Sequence, residues 1–140
     1  MVELMVVLII IAIPIVVTIP FYQANIKRAI RAEAEATLGA IRSAERIYKS
    51  EFGVYSRGLS YAQIRTVLGV NVTDAHYFDS LCYDVVTPAN GGGETFTARC
   101  KSHNLNTAPA AAEAQKYFGK DANNSIVLMM NEKGVTTTKY

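Results

Sequence analysis

Tryptophan is absent from this chain, histidine and cysteine occur twice each, and the net charge is only +2. Each scarcity excludes something. His76 and His103 stand alone, with no Ser/His/Asp grouping, no H-E-x-x-H and no phosphate-loop pattern. No enzyme, cofactor or metal site is therefore expected. The cluster Asp121, Asn123 and Asn124 lacks EF-hand spacing, and the glycines at 91–93 lack the helix and lysine that follow them in a phosphate loop. The small positive surplus does not point to nucleic acid. Arg99, Lys101, Lys116 and Lys120 are scattered along the chain, so no specific nucleic-acid partner is expected. Two cysteines permit at most one bridge.

What the chain does have is an uneven distribution of apolar residues. Residues 4–17 (LMVVLIIIAIPIVV) carry no polar side chain, and 4–21 includes only Thr18. That is close to the roughly 20 residues needed to span a bilayer. It does not read as a secretory signal, since no basic residue precedes the run and no A-x-A cleavage site follows it. Just ahead of it stands Glu3. A carboxylate deep in hydrocarbon costs about 2.5–3.5 kcal/mol, so an acid there is a functional candidate. Lys27, Arg28 and Arg31 follow the run, and the positive-inside rule would leave the rest of the chain in the cytoplasm. A Cys82–Cys100 bridge would instead require an oxidising compartment. A basic leader that once preceded the chain and was removed reconciles the two.

Beyond the apolar run, Ile26, Ile30, Ala34, Leu38, Ile41, Ala44, Tyr48 and Phe52 recur every three or four residues and form one stripe. The opposite face is read as charged, with Arg31/Glu35 and Glu45/Lys49 at i,i+4 spacing. Three parts follow: residues 1–25 as a transmembrane or filament-core half-helix, 26–53 as an amphipathic half-helix, and 54–140 as a globular head. Pro14 and Pro20 each remove an N–H from the helix, predicting a weakened or unwound stretch around residues 10–20. Phe21, Tyr22, Tyr48, Phe52 and Tyr55 form an aromatic series assigned to core packing.

In the head, residues 61–68 form a short helix ended by Gly69. Residues 81–87 and 94–101 are strand-like, joined through the turn at 88–93. A turn centred on Gly91 would place the equidistant Cys82 and Cys100 opposite each other, and a bridge there would contribute about 3 kcal/mol. The alanine-rich stretch within 104–119 is read as a helical turn or surface loop. A strand at 125–131 is followed by a turn and a polar tail able to add a short last strand. The fold class is α+β: a long N-terminal helix packed on an antiparallel sheet of three or four strands. Asn71 and Asn123 head glycosylation sequons.

The segment VELMVVLIIIAIPIVVTIPFYQ resembles the N-terminus of mature type IV pilins and pseudopilins. The resemblance is carried by Glu3, the unbroken apolar run, Pro20 and Tyr22, and it continues to YKSEFGVY at residues 48–55. It covers about the first 55 residues. The resemblance implies a structural subunit held in the inner membrane, processed by a prepilin peptidase and methylated at its N-terminus. It would then be built by the pilus assembly machinery into an extracellular homopolymer, a cell-surface fimbrium. It also implies that Glu3 meets the N-terminal amine of a neighbour, and that the helix near Pro14 and Pro20 melts in the filament.

The sequence departs from the family pattern in three places. Two residues rather than four precede Glu3, Pro14 is an added proline, and Ala12 stands where glycine is common. A major pilin is the leading expectation, since tip subunits can dispense with the glutamate. The alternatives are a type II secretion pseudopilin, whose major form usually carries a tryptophan motif missing here, and a membrane-tethered extracytoplasmic binding module.

Overall fold

The computed structural model describes residues 2–73, 75–88, 93–103, 106–119 and 126–138. Helix α1 (Val2–Phe52) runs without interruption for 51 residues, or about 77 Å at 1.5 Å per residue. Pro14 and Pro20 lie inside it and the backbone stays helical across both, which corrects the expected unwinding for the single subunit. The Thr18 hydroxyl donates to the Pro14 carbonyl at 2.7 Å. A proline costs local hydrogen bonds, and a long apolar helix tolerates that loss with at most a kink.

After α1, Gly53 opens the exit loop. Helix α2 (Tyr61–Leu68) has the predicted bounds. Gln63 reaches back to accept the Ser60 N–H at 3.1 Å, and Gly69 closes the helix with φ +67°, the left-handed conformation glycine adopts without strain. A short 3₁₀ turn (Ser80–Cys82) leads into β1 (Tyr83–Val86). Then come β2 (Thr97–Lys101), α3 (Ala111–Phe118), β3 (Ile126–Asn131) and β4 (Thr136–Thr137). The alanine-rich stretch is thus a true helix, and the polar tail supplies the fourth strand. The sheet is antiparallel throughout, in the order β1-β2-β3-β4. A bulge in the β2–β3 pairing after Cys100 puts Val127 and Leu128 both in the interior.

The core lies between the second half of α1 and one sheet face. Ile30, Ala34, Leu38 and Ile41 meet Tyr83, Val85, Ala98, Leu128 and Met130, with Phe78, Phe96 and Ile64 closing the ends. The α+β expectation therefore holds at the level of a long helix on a four-stranded sheet.

The register of the first hairpin differs from the expected one by a single residue. Tyr83, not Cys82, lies opposite Cys100, and Cys82 sits in the turn before the strand. The turn residue Gly91 lies outside the described residues. Both cysteines are free and buried, which corrects the expected bridge. Burial pushes the Cys82 thiol up to about 12 and that of Cys100 well above its ordinary value.

Candidate assembly surface

Among the described residues, the side chains of the first half of α1, 2–14 and 18–25, are all exposed. Val2, Leu4, Met5, Val6, Val7, Leu8, Ile9, Ile10, Ile11 and Ile13 are each at least half exposed. The most apolar 18-residue window has mean hydropathy 3.0 and none of it is buried. A core helix of a soluble domain would hide such a window, whereas this one is long and apolar enough to cross a membrane. Burying ten such side chains is worth on the order of 15 kcal/mol. That far exceeds the penalty of about 2.5–3.5 kcal/mol for taking a carboxylate into hydrocarbon. Glu3 therefore does not prevent burial of the segment; it fixes where a compensating charge is needed.

Glu3 is exposed in the first turn of α1, where a negative charge also complements the helix dipole. Pro14 and Pro20 lie farther along the same rod, with Pro20 about 26 Å from Glu3. Cys82 and Cys100 belong to the head. The five residues singled out from sequence thus do not converge on one place. They divide into a linear set on α1 and a buried pair under the sheet.

The second half of α1 holds a surface that sequence reading missed. Its outer face is not charged. Ala29, Ala32, Ala36, Ala40 and Ser43 are exposed at spacings of three and four residues, ending at Ile47, which is 60% exposed. The charges flank this stripe rather than forming it. Small side chains at such spacing let a second helix approach closely. The signal was visible in the alanine spacing, but exposed alanines do not register as a hydrophobic face.

The expected ion pairs resolve differently. Arg31 and Glu35 do pair, at 3.3 Å. Glu45 instead turns inward and is fully buried, accepting from the Ser56 N–H at 3.0 Å and from the Ser56 hydroxyl. Burial raises its pKa, and the Ser56 hydrogen bonds offset part of that rise. Lys49 lies over the Tyr55 ring at 4.4 Å. Glu33 accepts the backbone N–H groups of His76, Tyr77 and Phe78 at 3.0, 2.8 and 2.9 Å. Arg42 donates to the Glu132 carbonyl at 3.1 Å and Arg31 to the Thr138 hydroxyl at 2.8 Å. The polar residues of this half-helix thus anchor the head at several heights along the rod.

The aromatic series is also redistributed. Tyr55 is buried against Phe96, with ring centroids 4.8 Å apart, and Tyr48 is half-buried. Phe21, Tyr22 and Phe52 are each more than 60% exposed, so they are not core.

Among the described residues no group of three or more His, Cys, Asp or Glu side chains is placed to hold a metal. The cluster Asp121, Asn123 and Asn124 lies outside the described residues, as does Lys120. Compared with models of known families, with curated proteins and with solved structures, the chain finds no match in any of the three.

Proposed function

We propose that this chain is the structural subunit of a type IV pilus, stored in the inner membrane and polymerised through α1 into an extracellular filament. The observation that carries the reading is the apolar half of α1, exposed at every described side chain, with one carboxylate at its start, continuous with a half that is sunk into a folded head. A plain anchor needs the apolar length but neither Glu3 nor the alanine stripe above it. A polymer uses all three. The apolar halves supply the filament core, the stripe admits a neighbouring helix, and Glu3 paired with a neighbour's N-terminal amine sets the axial stagger.

In this reading a peptidase frees that amine, which is then methylated, and Pro14 and Pro20 mark where the helix loosens when the subunit enters the filament. The decisive experiment is electron microscopy of sheared surface fibres, with mass spectrometry to identify this chain as their main component. Fibres are expected in the native strain and are lost in Glu3→Ala while the subunit remains in the membrane. Assembly intact in Glu3→Ala defeats the charge pairing. Loss of the chain from fibres under every growth condition defeats the pilin reading and leaves a secretion pseudopilin or a tethered module.

A further inference from the structure

Two corners of the head face opposite ways from α1. The first is the β3–β4 turn. The Asn131 side-chain oxygen accepts the backbone N–H groups of Lys133 and Val135 at 3.1 and 2.8 Å, and Gly134 takes the left-handed conformation at φ +82°. A turn held in this way has little freedom left to lose on binding. It presents Val135, which is 57% exposed, beside the exposed Lys133. Arg42 of α1 sets the height of this corner by donating to the Glu132 carbonyl at 3.1 Å.

The second corner is a groove of about 600 Å³ between the end of α1 and α2. Its walls include Ile47, Tyr48, Glu51 and Phe52 from α1 and Val67 and Leu68 from α2. Ile47 and Phe52 are more than half exposed, so the groove is apolar and open. Glu51 is the one charged side chain in its described lining.

Turn and groove are related through the rod that carries both. Arg42 and Glu51 are nine residues apart, or two and a half turns, and so stand on opposite sides of α1. The groove centres near Tyr48, six residues and about 9 Å beyond Arg42 along the axis. A parallel copy displaced by about 9 Å along α1 therefore brings its turn level with its neighbour's groove. The charges match as well. Glu132 in the turn has Arg42 beside it, which leaves Lys133 as the surplus cation to face the groove's single anion. Among the described residues, neither the Lys133 ammonium nor the Glu51 carboxylate has an ion pair or a hydrogen bond of its own.

Resting on the assembly reading above, we propose that the β3–β4 turn of one copy docks in the α1–α2 groove of the next. Val135 enters among Ile47, Phe52 and Val67, and Lys133 meets Glu51. Because turn and groove lie on opposite flanks and at different heights, the contact does not close on a pair. It repeats from copy to copy as a helix.

The test uses the full chain in its native strain. Benzoylphenylalanine replaces Val135 in a fraction of the subunits, and the sheared fibres are irradiated. Mass spectrometry is expected to join residue 135 to peptides spanning 44–52 or 66–69 of a second copy. E51K and K133E each set like charges face to face and are expected to lower fibre yield about two- to fivefold, with the membrane pool unchanged. E51K/K133E restores the pairing and is expected to recover most of the native yield. Adducts to another surface or another protein, or a double variant no better than the single ones, overturn the proposal. Native fibres without the expected adduct defeat this contact alone, while a native strain without fibres under every growth condition defeats the assembly reading and the contact with it.

Discussion

Glu45 accepts both the backbone N–H and the hydroxyl of Ser56, eleven residues on, and so ties the last turns of α1 to the chain that has just left it. The carboxylate is buried, and its pKa is raised by that burial despite the two hydrogen bonds. A raised carboxylate binds its proton more tightly in the folded state than in the unfolded one. Its contribution to stability is therefore present below the ordinary carboxylate value and lost as pH rises through the folded value. Glu45→Gln, which keeps an acceptor for the Ser56 N–H and cannot ionise, is expected to flatten this part of the profile. Thermal melts of native and variant protein in detergent from pH 4 to 8 measure it. Parallel profiles would refute the assignment.

Asp84 carries the opposite sign. Burial pushes its pKa up, but hydrogen bonds and charges from Arg99 and Lys101 outweigh burial and hold it below the ordinary value. Arg99 grips it at 2.8 and 2.5 Å and Lys101 at 2.8 Å, across the β1–β2 pair. This contribution is present above the unfolded value and lost as pH falls through the folded one. Asp84→Asn is expected to cost about 1–2 kcal/mol at pH 7 and little below the folded value. Denaturant titrations at the two pH values decide it; an equal cost at both would be the wrong outcome.

Glu33 holds a loop by its backbone. Three N–H groups converge on one carboxylate, which fixes residues 76–78 against α1 and sets Phe78 into the core. Glu33→Ala strips all three of their acceptor and is expected to destabilise the protein by about 2–3 kcal/mol. Hydrogen exchange at His76, Tyr77 and Phe78 is expected to accelerate more than at β3. Unchanged protection at those three amides would contradict the role.

The two thiols offer a chemical test. Both are buried, and burial holds Cys82 at about 12 and Cys100 well above the ordinary thiol value. Only the thiolate reacts, so at pH 8 both are expected to resist iodoacetamide in the folded chain and to react fully in urea. Mass spectrometry counts the adducts. Prompt labelling of folded protein would show that one of them is exposed, and no labelling in urea would show a bridge.

How far the sequence could be read depended on which signal a residue carries. Tyr61–Leu68 was legible because Ser60, Gln63 and Gly69 all act locally, as cap and stop. The strands were legible in order but not in length, because pairing, not propensity, sets where a ladder ends. The cysteine register failed for the same reason, since one residue of slip is invisible in composition. Glu45 was misread because a charged residue at i,i+4 from a lysine looks like an exposed pair. Its place four residues after Ile41 on the buried stripe was the better signal. Glu33 had no local signal, since its partners lie more than forty residues away. On the candidate assembly surface, Glu3 and the apolar run were plain, whereas the alanine face emerged only once the sheet had claimed the other side of α1.

Because one unbroken helix forms both the exposed rod and the floor of the core, a pull on the N-terminus meets the head in shear. Ile30, Ala34, Leu38 and Ile41 all lie along that line, with Arg31, Glu33, Arg42 and Glu45 fastened across it. Tension is shared among these contacts at once instead of opening them one by one, as it would if the strands were unzipped from an edge. A chain of such subunits would yield first in its slender lower halves, leaving each head intact under load.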